Sequence, residues 1–226
     1  MNTDAEKNLA TPEAEGSILF IDKPLEWTSF DVVNKLRRKL QTKKIGHAGT
    51  LDPLATGLLI VCVGKMTKRI LEFQGLEKEY TGTLVLGQTT PSYDLETVPT
   101  EPVSLIGVTN EFLESLCKQF TGNIAQVPPL HSAVKIDGKR AYRFARKGVE
   151  MKLEPRMVEI KLFELTGIRL PEIDFRVVCS KGTYIRSLVR DFGEAAGKGA
   201  YLSALRRTRI GQYSVEQAVE LNSRVQ

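Results

Sequence analysis

The chain is poor in the residues that build metal and redox centres. Among its 226 residues are two histidines, His47 and His131, three cysteines and one tryptophan. Two histidines exclude a His-rich metal site, and Cys62, Cys117 and Cys179 stand far apart without ligand-type spacing. Cys62 and Cys179 each lie in an apolar, strand-like run and read as buried free thiols. These features indicate a reduced, cytoplasmic protein that holds no metal. No uninterrupted apolar stretch approaches the roughly 20 residues of a membrane-spanning helix. The N-terminus, MNTDAEKNLATPEAEG, is acidic and polar where a secretory signal is basic and then apolar. Residues 1–16 read as a disordered lead-in, and residues 17–226, without a convincing linker, as a single domain.

What the chain does have is patchy positive charge. The net charge is +5, yet residues 35–44 alone carry six basic and no acidic side chains. Residues 135–156 carry eight basic and three acidic, and residues 181–209 seven and two. Any one such segment is as readily a solvated surface face. Together the three point to a polyanion, and RNA or DNA binding that weakens with salt follows from them.

Ser17–Ile21 reads as a buried strand. Thr28 followed three residues later by Asp31 resembles a capping box opening a helix through Leu40, with Val32, Val33, Leu36 and Leu40 as its apolar stripe. Residues 45–57, IGHAGTLDPLATG, have no apolar periodicity and three glycines, which predicts a loop. Residues 58–64 and 80–87 read as strands, and residues 87–104 as a turn-rich, weakly ordered connection. Phe112, Leu113, Leu116 and Phe120 mark a helix stopped at Thr121-Gly122. Residues 123–150 fit neither period and read as a long basic excursion. Two paired strands around Pro171 and a helix defined by Ile185, Leu188, Val189 and Phe192 complete an α+β pattern with a mixed, largely antiparallel sheet flanked by helices.

Two segments can carry chemistry. In the first, Asp52 is flanked by small residues, with Gly46, Gly49 and Gly57 permitting close backbone approach and Pro53 fixing the chain after the acid. Such an acid could be held rigidly at the floor of a cleft, but spacing alone favours an ordinary Asp-Pro turn. His47, five residues earlier, could be a general base, a phosphate contact or a flat stacking surface, or a ring satisfied by a backbone partner. In the second, Ser180–Thr183 leads into the helix containing Tyr184 and Arg186, where Gly182 and the helix N-terminus could present amides to an anion. Arg186 follows apolar Ile185 and is either turned inward, where it needs a carboxylate such as Asp52, or exposed on the helix surface.

These segments carry a resemblance. GHAGTLDPLATGLLIVCVGKMTK (46–68), IDKPLEWTSFDVV (21–33), KEYTGTLVLGQTT (78–90) and CSKGTYIRSLVRDFGEAAGKGAYLSALRRTRIG (179–211) resemble the ordered motifs of the bacterial TruB type of tRNA pseudouridine synthase. The likeness covers essentially the whole chain after the lead-in, far beyond the chance rate of a short pattern. Two positions depart from it: Glu26 stands where the lysine-proline motif usually has glycine, and Pro91 where an acidic residue often follows LGQxT. The chain also leaves no room for the small PUA-type RNA-binding domain with which many relatives continue.

The resemblance implies the pseudouridine synthase fold, with a catalytic cleft across its sheet, and isomerisation of uridine 55 in the tRNA T-loop without a cofactor. The uridine would be flipped out to reach a buried carboxylate. It implies Asp52 as the catalytic acid, Arg186 as its ion-pair partner, and Tyr80 packed on the target base with a proton-transfer role. His47 would fill the space the base vacates, and Tyr184 and Leu205 would help form the uridine pocket. Lys135, Lys139, Arg140, Arg143 and Arg146 become candidate contacts to the RNA backbone. A monomer acting on tRNA without a guide RNA is expected. The alternatives are an RNA-binding or tRNA-folding protein without turnover, and a synthase acting on another RNA or through a guide-RNA assembly.

Overall fold

A computed structural model describes residues 16–130, 135–136, 139–140 and 153–221. In chain order the elements are β1 (Ile18–Lys23), α1 (Ser29–Lys39), β2 (Ile45–His47), β3 (Ala55–Val63), α2 (Ile70–Gly75), β4 (Lys78–Leu86), α3 (Asn110–Gln119), β5 (Gly122–Gln126), β6 (Lys135–Ile136), β7 (Lys139–Arg140), β8 (Arg156–Arg169), β9 (Glu172–Cys179), α4 (Ile185–Ala195), β10 (Ala200–Ile210), β11 (Tyr213–Ser214) and β12 (Val219–Glu220). The chain divides into two compact units, one running to Tyr80 and resuming at Leu205, the other Thr81–Ala204. The lead-in, residues 1–16, lies outside the described residues except for Gly16.

In the first unit β3 is the central strand. It pairs antiparallel with β1 from Ile18↔Cys62 to Lys23↔Gly57 and with β2 from Ile45↔Val63 to His47↔Val61. It pairs parallel with β10 from Leu205↔Ala55 to Arg207↔Gly57, and β1 in turn runs parallel to β12. Cover on both faces explains why this strand is apolar from Leu58 to Val63. Leu59, Val61 and Val63 pack with Val32, Val33 and Leu36 of α1, while Leu58, Ile60 and Cys62 pack with Phe73 and Ile210. The α1 start is the expected one: Thr28 caps it, and the reciprocal bonds with Asp31 form a complete capping box.

The second unit is built on β8, which pairs antiparallel with β5 and with β9 across the turn at Leu170–Pro171. Phe163, Phe175 and Phe192 meet edge to face, tying the hairpin to α4. Parallel and antiparallel pairings in one fold, with helices against the sheet, make the α+β class the sequence predicted.

Three expectations about loops give way. Residues 45–57 are a loop only between His47 and Ala55, because their ends pair with β3 and extend it. A three-residue strand has no period to detect. Residues 123–126, the start of the expected basic excursion, belong to β5, whose register follows from β8 far along the chain. The 87–104 connection is fixed by side-chain bonds to backbone, described below.

Candidate active site

The first unit holds Asp52 in a loop whose backbone is anchored from three directions. Leu51, nearly fully buried, donates its amide to Ser29 Oγ at 2.8 Å and accepts from the same hydroxyl at 3.1 Å, so the first turn of α1 grips the residue before the acid. Ala55 N bonds back to Asp52 O at 3.1 Å, closing the Asp-Pro turn that spacing favoured. The backbone of Asp52 thus makes the turn, and its side chain is half-buried.

The second anchor is Lys23, whose side chain is completely buried at the end of β1. Its ammonium donates to the carbonyls of Trp27 (2.6 Å), Pro24 (2.8 Å) and Pro53 (3.2 Å). Three donors meet three acceptors, which is all an ammonium can supply. Pro53 O also accepts from Glu26 N at 2.9 Å. Burial lowers Lys23 to about 8, against the opposing attraction of the Asp52 carboxylate and with further lowering from Arg207.

Arg207 is the third anchor. It is 1% exposed on β10 and directs Nε to Leu58 O (2.7 Å), Nη2 to Gly49 O (3.3 Å) and Nη1 to Thr50 O (3.4 Å). The strand can lie this close because Gly57 has no Cβ: one built there would collide with the Arg207 backbone. Two buried cations thus lie beside the Asp52 loop, and three of their six hydrogen bonds go to its main-chain oxygens, those of Gly49, Thr50 and Pro53.

His47 ends β2, with ring Nδ1 enclosed. Burial lowers its pKa, the Gly49 backbone opposes this, and the Arg207 charge lowers it again. A neutral ring follows, which fits stacking better than a phosphate contact. Tyr80 is buried near the start of β4, and Leu205 on β10 is the register partner of Ala55, three residues beyond Asp52.

In the second unit the site residues lie at the start of α4. Tyr184 is its N-cap, and its amide donates to Gln126 Oε1 at 2.8 Å. Arg186 is buried, as in the inward reading, and one carboxylate beside it is that of Asp94, 3.5 Å away, with Ser92 O accepting from Nη1 at 3.2 Å. The sequence reading had not singled out Asp94. It lies in the segment taken as weakly ordered, which is in fact fixed: Thr90 and Ser92 hydroxyls both donate to Asp94 O, and Glu96 N donates to Asp94 Oδ1. A run of Thr, Ser and Asp was the only available signal. Lys23 and Arg207 lie inside the family motifs, but the sequence does not show their roles, because their targets are carbonyls, which leave no trace in sequence.

Of the candidate RNA-backbone residues, Lys135, Lys139 and Arg140 lie in the β6–β7 pair, with Lys135 opposite Arg140 and Ile136 opposite Lys139. Arg143 and Arg146 fall outside the described residues. Among the described residues no group of three or more His, Cys, Asp or Glu could hold a metal ion, and no helix is long and apolar enough to cross a membrane.

Comparison with known proteins shows the family. Residues 37–185 match the model of the TruB family pseudouridylate synthase N-terminal domain, and residues 186–224 that of the tRNA pseudouridylate synthase B C-terminal domain. The chain is 54% identical over 220 residues to tRNA pseudouridine synthase B of Flavobacterium johnsoniae, covering 93% of this chain and 96% of that protein. It is also 54% identical over 220 residues to the protein of the same name from Phocaeicola vulgatus, covering 92% of each. Among solved structures, a Cbf5-Nop10-Gar1 complex aligns with TM-score 0.70 at 30% identity, over 96% of this chain and 54% of that one. An H/ACA RNP bound to a substrate RNA containing 2'-deoxyuridine aligns with TM-score 0.67 at 28% identity, over 92% of this chain and 51% of that one. The chain belongs to the TruB family of pseudouridylate synthases.

Proposed function

We propose that this protein isomerises uridine 55 in the T-loop of tRNA to pseudouridine, with the Asp52 carboxylate acting on the ribose. The observation that carries this reading is the Asp52 loop. Its backbone is held by Ser29, Lys23 and Arg207, so the carboxylate is aimed without moving when substrate arrives. The base is detached from C1′, turned, and rejoined through C5, and the C5 hydrogen leaves as a proton. The reaction is an isomerisation and consumes no redox equivalent. Asp52 either attacks C1′ or takes the C2′ proton, and both routes need it ionised and fixed.

The target base is flipped out of the folded RNA. Tyr80 packs on it and takes part in proton transfer, while the neutral His47 ring occupies the space it leaves. Leu205 and Tyr184 bound the uridine, and Arg186 supports the charge of the catalytic acid. Lys135, Lys139, Arg140, Arg143 and Arg146 contact phosphates, so affinity falls as salt rises. The protein works as a monomer and needs no guide RNA. In favour of stand-alone action on tRNA, the relatives named tRNA pseudouridine synthase B match over nearly their whole length, whereas the complex-forming structures share about half of theirs.

Asp52→Asn tests the central assignment. It is expected to slow pseudouridine formation in a T-arm RNA by roughly 1,000-fold or more while leaving RNA affinity within about threefold. Turnover near the wild-type rate would remove Asp52 from the chemistry. Activity only on a guided or ribosomal RNA, with unguided tRNA inert, would favour the second reading.

A further inference from the structure

Arg186 is one of two arginines, a single helical turn apart on α4, that meet the Ser92–Asp94 turn. Arg190 is the second. Its Nη1 donates to Tyr93 Oη at 3.2 Å, and its guanidinium carbon lies 4.9 Å from the centre of the Tyr93 ring. Nε is held by Asp191 at 2.7 Å, which fixes the direction of the fork. Tyr93 is one of three non-glycine residues with positive φ among the described residues, at +63°. A bulky side chain in that region is strained, and the strain persists only where neighbours over-determine it. Those neighbours are on either side: Ser92 is fully buried and Asp94 is 3% exposed. Tyr93 O also accepts from Leu202 N at 2.9 Å.

The geometry points to Tyr93 and Arg190 as a clasp that positions Asp94 against Arg186. The backbone reversal at Tyr93 turns its ring toward Arg190 while the residues on either side present Ser92 O and the Asp94 carboxylate to Arg186. Arg190 holds the ring by a hydrogen bond and by its charge over the π face, which together resist relaxation of Tyr93 to negative φ. Relaxation would swing Asp94, the next residue, and change the carboxylate's approach to Arg186. Tyr93 and Arg190 are positioning residues: they act on the reaction through the Arg186–Asp94 pair. The inference rests on the reading that Arg186 serves isomerisation.

The test is single-turnover pseudouridine formation in a T-arm RNA, followed by release of the uridine C5 hydrogen, with RNA affinity and thermal stability measured on the same proteins. Tyr93→Phe keeps the ring and the fold but removes the acceptor; Arg190→Gln removes the charge and the fork. Each is expected to slow the chemical step about three- to tenfold with RNA affinity within about twofold, and the double variant to be no slower than the slower single one. Arg190→Lys, which can still donate to Tyr93 Oη and sit over its ring, is expected to restore part of the rate. Two outcomes overturn the clasp while sparing the reading of Arg186. In one, Arg186→Gln slows the step but both clasp variants turn over like wild type, however much they lose in thermal stability. In the other, the clasp variants lose affinity alone. If Arg186→Gln itself leaves the rate unchanged, the reading of Arg186 fails and the clasp has nothing to position.

Discussion

The Asp52 loop and the Ser92–Asp94 turn are both short polar segments fixed by buried cations, and the cations spend their hydrogens differently. Around Asp52, Lys23 and Arg207 bond six main-chain carbonyls between them: Pro24, Trp27, Pro53, Leu58, Thr50 and Gly49. At the other turn, Arg186 meets both a carbonyl, Ser92 O, and a carboxylate, that of Asp94. The first arrangement fixes a loop through its backbone, by bonds that do not involve the carboxylate. The second couples position to charge, because the carboxylate is itself part of the fastening.

The largest effect expected from this contrast is on stability. Arg207→Ala deprives three carbonyls of a buried donor and leaves a cavity beside Gly57, at a cost of about 3–5 kcal/mol in urea unfolding. Asp94→Asn keeps an amide oxygen for Glu96 N and Arg186, so its cost is expected to be smaller, about 1–3 kcal/mol. An Asp94 variant less stable than the Arg207 variant would reverse the proposed division between backbone and side-chain support.

How much of this was legible beforehand depended on distance along the chain. The capping box at Thr28 and Asp31 and the stripe of Ile185, Leu188, Val189 and Phe192 were readable because they are local. The family was readable through the length of the motif around Asp52. The roles of Lys23 and Arg207 were not, since Arg207 reaches Gly49 and Thr50 across most of the chain and bonds only carbonyls that every residue possesses. Asp94 was hidden for a related reason. The order of its segment comes from hydroxyl-to-backbone bonds and two arginines of α4, without the apolar period by which order is ordinarily detected.

A smaller effect, on pH, examines the first support from its charge. Lys23 titrates at about 8 in the fold, against its ordinary 10.5 when unfolded. Between these values the unfolded chain binds the additional proton, so this group makes stability rise with pH across that window. Urea midpoints of wild type and Lys23→Met, compared from pH 7 to 10.5, are expected to diverge in favour of wild type above pH 8. A parallel pair of curves would mean that the ammonium is as well solvated by its three carbonyls as by water. A divergence in the opposite sense would place its folded value above 10.5.

The smallest effect concerns the hinge between the two supports of Pro53 O. Glu26, which donates to that carbonyl, has φ of +64° and stands where the resembled motif has glycine. A residue with a Cβ costs about 1–2 kcal/mol in the left-handed region, and glycine returns about 0.5–1 kcal/mol of this as extra entropy of the unfolded chain. Glu26→Gly is therefore expected to stabilise the protein, by about 0.5–1 kcal/mol, or a shift of a few degrees in Tm for a chain of this size. Because the amide and the Pro53 carbonyl are untouched, turnover should remain within about twofold of wild type. Raised stability with much slower turnover would show that the Glu26 side chain, exposed beside the Asp52 loop, has a part in the reaction that the backbone argument does not give it.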